Sequence, residues 1–104
     1  MNQNEKIKFI TDLFEKNVHS VSSIKIRSEH QKKMFCLLVD NRSVSVLINE
    51  SFINEFQNKE IEEHFNDINI YRLIESKDKS GPISKDDILI FPDDPVCQKL
   101  HSRQ

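Results

Sequence analysis

The first seventeen residues carry the hydrophobic pattern of an amphipathic helix. Apolar residues recur there at spacings of three and four, and the positions between them are mostly charged: Ile7, Ile10, Leu13 and Phe14. This period places the apolar side chains on one helical face. It predicts a helix from residue 4 to about residue 17.

Two strand patterns follow the predicted helix. Ile24 and Ile26 alternate with basic residues, which predicts a strand at about 21–29 with one face in water. Residues 34–39 read MFCLLV without a polar interruption, as in strands that are covered on both faces. This second segment is the best candidate for a central strand.

A polar turn and a third strand come next. Residues 40–43 are Asp, Asn, Arg and Ser, which tolerate turn geometry, and the alternation then resumes at Val44, Val46 and Ile48. We therefore expect the second and third strands to form a hairpin.

The pattern of the second half is less regular. Asn49 or Ser51 can cap a helix whose apolar residues share one face: Phe52, Ile53 and Phe56. The next apolar residues are displaced from that face, so a second short helix is expected to start at Asn58.

Three segments complete the prediction. The composition of residues 68–74 favours a fourth strand, and residues 77–82 contain the Gly-Pro pair of a turn. Residues Ile88–Phe91 fit a short edge strand or an extended docking segment. Residues 96–104 are expected to be a frayed tail.

Together these elements predict an α+β fold of two layers, in α-β-β-β-α-β order. The N-terminal helix packs on an antiparallel sheet of three to five strands. A chain of 104 residues has room for one domain, which we place at residues 1–95.

Glycine and cysteine usage narrows the candidate chemistry. Gly81 is the only glycine, which excludes glycine-rich phosphate loops, dinucleotide-binding motifs and nucleophile elbows. The N-terminal residues lack the pattern of a signal peptide, and no stretch has the apolar length of a membrane span. We therefore expect a cytoplasmic protein in which Cys36 and Cys97 are free thiols.

A metal site is the first specific chemistry to consider. Cys97 and His101 have a spacing that chelates from one helical turn, and a zinc site would add Cys36 and one further histidine: His19, His30 or His64. Because the pair falls in the predicted tail, we expect no metal and no cofactor.

Enzyme chemistry finds little support in the pattern. Glu60 and His64 are spaced for a carboxylate–imidazole pair, but a solvated, acidic helix face is the simpler interpretation. Cys36 is flanked by apolar residues, which favour an inert buried thiol, and no serine is distinguished by its context. We expect a protein that is not an enzyme.

The charge distribution points to a protein partner. Residues 1–48 contain eight basic and five acidic residues, whereas residues 49–104 contain seven basic and twelve acidic residues. Acidic surfaces steer association with basic or nucleic-acid-binding proteins. We expect the second half to supply the partner-binding carboxylates: Glu60, Glu62, Glu63, Asp67, Asp86, Asp87, Asp93 and Asp94.

Nucleic-acid binding is the main alternative, carried by basic residues of the first half: Lys25, Arg27, Lys32, Lys33 and Arg42. The predicted element order, and residues 30–44 in particular, resemble double-stranded-RNA-binding domains. That family places a lysine cluster at the start of its last helix. This chain has uncharged or acidic residues there: Asn49, Glu50, Asn54 and Glu55.

The helix and three-strand opening is also similar to that of small phage inhibitors of CRISPR nucleases, which use acidic surfaces to occupy DNA-binding channels. It likewise resembles the opening of type III secretion chaperones. Each similarity covers about the first half of the chain. The function we expect is a non-enzymatic protein-binding module of inhibitor, immunity or adaptor type, with no membrane contact.

Overall fold

The computed structural model describes residues 3–76 and 81–102, and it confirms an α+β fold with an N-terminal helix and an antiparallel sheet. Its helices are α1 Gln3–Asn17, α2 Glu50–Glu55, α3 Asn58–Ile68, α4 Ile70–Glu75 and α5 Pro95–Ser102. Its strands are β1 Val21–Glu29, β2 Lys32–Val39, β3 Arg42–Asn49, β4 Ile83–Lys85 and β5 Ile88–Phe91. The predicted helix at the N-terminus and the three strands that follow it are confirmed, as is a helix start at Asn58.

The five strands form one sheet in the order β1-β2-β3-β5-β4, and every neighbouring pair is antiparallel. The first two hairpins turn through pairs of non-glycine residues with left-handed backbone: His30 and Gln31, then Asp40 and Asn41. This geometry matches the right-handed twist of the flanking strands. The expected β2–β3 hairpin is therefore present, with Val39 paired to Arg42.

The main core lies on one face of the sheet, beneath the first four helices. Phe14 of α1 is central to it, with its ring stacked on Phe65 at 5.6 Å and edge-on to Phe35 at 5.6 Å between centroids. All three rings are fully buried. Alternate residues of β2 and β3 point into the same core, including Leu37 and Val46, so the strand period fixes which face the helices cover.

The opposite face is covered by α5, where the sequence predicted a frayed tail from residue 96. Asp94 caps the helix by accepting a hydrogen bond from Val96 N at 3.0 Å, and Pro95 occupies the first helical position, where its fixed φ is favourable. The prediction of a tail is wrong for residues 96–102 because these contacts, together with burial of Cys97, hold the helix on β2 and β3.

The two cysteines are joined in a disulfide across this second interface, so the prediction of free thiols is also wrong. Cys36 points away from the main core and, with Met34, packs against Cys97 under α5, flanked by Leu47 and Leu100. The pairing could not be predicted from local sequence, because the cysteines are 61 residues apart and only the tertiary fold brings α5 onto β2.

Residues 68–74 are helical, which corrects the predicted fourth strand. Asn69 adopts a left-handed conformation that ends α3, and its own carbonyl then accepts the Leu73 N–H in α4. Ile70 and Ile74 are buried with the spacing of one helical face, so tertiary packing overrides their β-branched composition.

The segment Ile88–Phe91 is a strand, but it lies inside the sheet. It pairs with β3 on one side and with β4 on the other, which leaves β4 at the edge. Residues 77–80 of the predicted turn at 77–82 lie outside the described residues.

Across the described ranges, every helix is too short or too polar to cross a membrane. The cytoplasmic location and the single domain stay predictions, whereas the predicted domain limit at residue 95 falls at the start of α5, which packs on the sheet.

Candidate functional site

The second half of the chain forms an open groove of about 490 Å³ between α3, the end of α2 and the β4–β5 turn. Four residues of α3 line it with the spacing of one helical face: Glu60, Glu63, His64 and Asp67. The turn contributes two more carboxylates and α2 contributes two aromatic rings: Asp86, Asp87, Phe52 and Phe56. We call this surface the acidic groove.

Helix α3 presents its acidic face because its other face is anchored in the core. Ile61 and Phe65 are fully buried, so the positions between them must point outward. A capping box fixes the start of the helix, in which Gln57 N donates to Glu60 Oε1 at 3.0 Å. Glu60 therefore both caps α3 and lines the groove.

The β4–β5 turn is held against the end of β3 by Asn49. Asn49 N donates to the carbonyl of Asp87 at 3.1 Å, and its side-chain amide donates to Asp87 Oδ1 at 2.9 Å. Asp86 takes the left-handed conformation of the turn, with φ of 52°. These contacts bring carboxylates from residues 86–87 to a helix that ends at Ile68.

Aromatic side chains form the apolar part of the groove. The rings of Phe52 and Phe56 lie 4.9 Å apart, and the ring of Phe52 is 5.2 Å from His64. His64 Nε2 lies 3.8 Å from Asp86 Oδ2 and has no hydrogen-bond partner among the described residues. The imidazole thus lies beside Asp86 across the groove, whereas Glu60, whose spacing from His64 would also allow a pair, caps the helix.

Charge in the acidic groove is strongly one-sided. Within residues 3–76 and 81–102, His64 is the one basic group found within 4.0 Å of its five carboxylates. The side chain of Asp86 is 72% exposed, so most of this carboxylate stays accessible beside His64. Carboxylates gathered on a concave surface reinforce one another's field and attract cations.

Five of the eight predicted partner-binding carboxylates meet in the groove, and three lie elsewhere. Glu62 points to another side of α3, toward Tyr71. Burial raises the pKa of Tyr71 to about 12, and the Glu62 charge acts in the same direction. Asp93 and Asp94 lie beyond the other end of β5 from the groove, where Asp94 also accepts a hydrogen bond from Ser45 Oγ at 2.7 Å.

Most of the predicted nucleic-acid-binding cations already contact other parts of the protein. Lys25 Nζ donates to the carbonyl of Leu100 at 2.8 Å, and Arg27 pairs with Glu29 at 2.9 Å. Lys33 donates to a serine hydroxyl at 2.6 Å, and Arg42 to the carbonyl of Glu75 at 3.3 Å. The strand register places Lys25, Arg27 and Lys32 on the face of the sheet that α5 covers, and Lys33 and Arg42 on the other face, so the five cations are divided between two faces.

The sequence pattern did not predict that Phe52 and Phe56 would line the groove, or that His64 would lie beside Asp86. The shared face of Phe52 and Phe56 was visible as a helical pattern, but only the fold places it beside residues 86–87. Within the described parts of the chain, the one group of three side chains with metal-ligand spacing lies under α5 and comprises Cys36, Cys97 and His101. Comparison of the chain with known protein families, curated proteins and solved structures found no match.

Proposed function

We propose that this protein is a non-enzymatic protein-binding module whose acidic groove accepts an arginine side chain from a basic segment of its partner. The observation that carries the proposal is the combination of five carboxylates with the partly exposed ring of Phe56, which packs on the buried Phe52, in one concave surface. Such a surface complements a group that is both cationic and flat.

Arginine fits this combination better than lysine. A guanidinium group forms paired hydrogen bonds with carboxylates and stacks on aromatic rings, whereas an ammonium group is a compact and strongly hydrated charge. Glu63 on α3 and Asp87 on the turn lie on two sides of the groove. Their carboxylates therefore offer hydrogen-bond acceptors to the guanidinium N–H groups from different directions. The partly exposed ring of Phe56, supported from below by Phe52, supplies a stacking surface.

The sign of the charge favours a protein partner over a nucleic acid. Phosphate groups would be repelled by the acidic groove, and binding to them requires several free cations on one face. A partner that itself binds nucleic acids would present basic segments, which suits inhibitor, immunity and adaptor roles alike.

A peptide titration tests the proposal. The probe is a flexible Gly-Ser peptide with two central arginines, and its lysine counterpart serves for comparison, with both measured by calorimetry at low salt. We expect the double variant Glu63→Gln/Asp67→Asn to weaken arginine-peptide binding roughly tenfold, since exposed charge pairs each contribute up to about 1 kcal/mol.

Glu62→Gln is the matched control for the single variant Glu63→Gln, because each removes one charge from α3 and only Glu63 lines the groove. It should leave the affinity within about twofold at fixed ionic strength. Equal losses in both variants, or equal affinity for the arginine and lysine peptides, would contradict a specific arginine site.

A further inference from the structure

We propose that reduction of the Cys36–Cys97 disulfide creates a zinc-binding site formed by the two thiolates and His101. This site lies on the opposite face of the sheet from the main core and is independent of the acidic groove. It requires three side chains of the right type that the fold already holds together.

The three ligands are close and come from two rigid elements. Both sulfur atoms and a ring nitrogen of His101 lie within 4.8 Å of one another. Cys36 is on the interior strand β2, while Cys97 and His101 occupy successive turns of α5 on the same helical face. Ligands from a strand and a docked helix keep their relative positions, as a metal site requires.

Reduction brings the sulfur atoms toward the spacing that zinc needs. Once the covalent bond is broken, the two sulfurs must move apart to van der Waals contact. Two thiolates on a tetrahedral zinc ion lie about 3.8 Å apart, given Zn–S bonds of about 2.3 Å. The Cα–Cα distance of 5.4 Å between Cys36 and Cys97 can remain nearly unchanged during this step.

The surroundings favour a bound cation once the thiols are free. Both cysteines are completely buried and packed against Met34, so an ionised thiolate there needs a positive partner. Lys25 pairs with Cys36 in the sheet register, and its ammonium group lies at the C-terminal end of α5. A zinc ion would supply the remaining charge.

His101 can be reached from solvent and can change its partner. Its Nε2 atom lies 3.0 Å from the carbonyl of Cys36, and the ring also lines a cavity of about 310 Å³ with Ser43 and Gln98. A neutral imidazole can ligate through either nitrogen while the other makes a hydrogen bond. Three protein ligands leave one tetrahedral position for water.

The chemistry balances with a dithiol as reductant. The dithiol gives two electrons and two protons to the cystine, which becomes two cysteine thiols while the reductant becomes a cyclic disulfide. Zinc then replaces both thiol protons, which pass to solvent. Oxidation would reverse both steps and release the metal.

Zinc affinity of the full chain in its two redox states tests the proposal. The protein is reduced with dithiothreitol, freed of reductant without air, and titrated with Zn²⁺ against a chromogenic chelator. We expect one Zn²⁺ per reduced chain and none per oxidised chain. His101→Asn should weaken binding at least roughly tenfold, since loss of even an outer-shell partner costs that much.

His30→Asn is the matched control, because His30 is exposed in a turn with left-handed backbone that asparagine tolerates. It should bind zinc like the wild type. A reduced, folded chain that takes up no zinc, or equal affinities of the two histidine variants, would overturn the proposal.

Circular dichroism covers the case in which reduction unfolds the chain. Zinc should then restore the folded spectrum of the wild type but not that of Cys97→Ser. Failure of zinc to restore the wild-type spectrum would also overturn the proposal. None of these results depends on the arginine-binding role of the acidic groove.

Discussion

Removing the Cys36–Cys97 cross-link should lower the free energy of unfolding by several kcal/mol. The disulfide closes a loop with a sequence separation of 61 residues, and the chain-entropy relation for a loop of that size gives about 4 kcal/mol. Typical domains have 5–15 kcal/mol in total. The loss should therefore remove a large fraction of the stability of this protein.

Urea denaturation separates the cross-link from the packing of the sulfur atoms. Reduced wild type keeps both sulfurs, so its loss reports the cross-link together with the small separation of the two sulfur atoms. The double variant Cys36→Ala/Cys97→Ala should lose about 1 kcal/mol more, because both side chains are fully buried. The denaturant dependence should rise in both cases, since the unfolded chain becomes more expanded.

The oxidised wild type in the same buffer without reductant is the reference. The reductant should not change the free energy of unfolding of the double variant, which has no disulfide. A loss below about 1 kcal/mol on reduction would refute the entropy argument. It would mean that the covalent link between α5 and β2 contributes little to the free energy of unfolding.

Three further predictions concern single positions. Gln31→Gly should raise the free energy of unfolding by about 0.5–1 kcal/mol in urea denaturation. The φ of 62° strains a glutamine by about 1–2 kcal/mol, which exceeds the extra backbone entropy that glycine loses on folding. A destabilised variant would contradict this. Asp94→Ala should lose about 1–3 kcal/mol in the same assay, because it removes the α5 cap and leaves the buried Ser45 hydroxyl without its acceptor, whereas Asp94→Asn should lose less. The raised pKa of Tyr71 means that its neutral form is favoured in the folded state. The free energy of unfolding should therefore be highest below pH 10.0 and fall as the pH rises toward about 12. Tyr71→Phe should show a smaller fall over this pH range, and an equal fall in the variant would mean that other groups cause it.

The first half of the fold was predictable because its signals are local. The helical period of residues such as Ile10 and Phe14, and the strand alternation around Ile24, specify both the element and its buried face. The continuous apolar run in β2 also indicated correctly that this strand is covered on both sides. What the sequence did not indicate was the second cover, helix α5.

The errors arose where distant contacts decide the local structure. The Ile-rich segment after Asn69 has strand composition, but its buried positions are spaced for a helix that packs on the core. Cys97 falls in the predicted frayed tail because the residues that follow it are mostly polar. Its disulfide partner lies 61 residues away and gives no local signal. Its spacing to His101 was visible, yet no local pattern indicated that both would face Cys36.

The candidate site shows the same division. The carboxylates of the acidic groove were selected from charge alone, and five of them converge because Asn49 holds the β4–β5 turn beside α3. The contact of Asp94 with Ser45 could not be predicted, since it depends on the pairing of β3 with β5. Charge identifies candidate residues, whereas convergence depends on the register of β3 and β5.

The most direct test of the proposed function is to map the arginine peptide onto the protein by ¹H–¹⁵N NMR titration. If the acidic groove binds the guanidinium group, saturable shifts should concentrate in residues 60–67 and 86–87 and in the imidazole of His64. The same titration of Glu63→Gln/Asp67→Asn should lose them. Shifts spread over Asp93, Glu5 and other acidic positions, or no saturable shifts at all, would contradict the proposal.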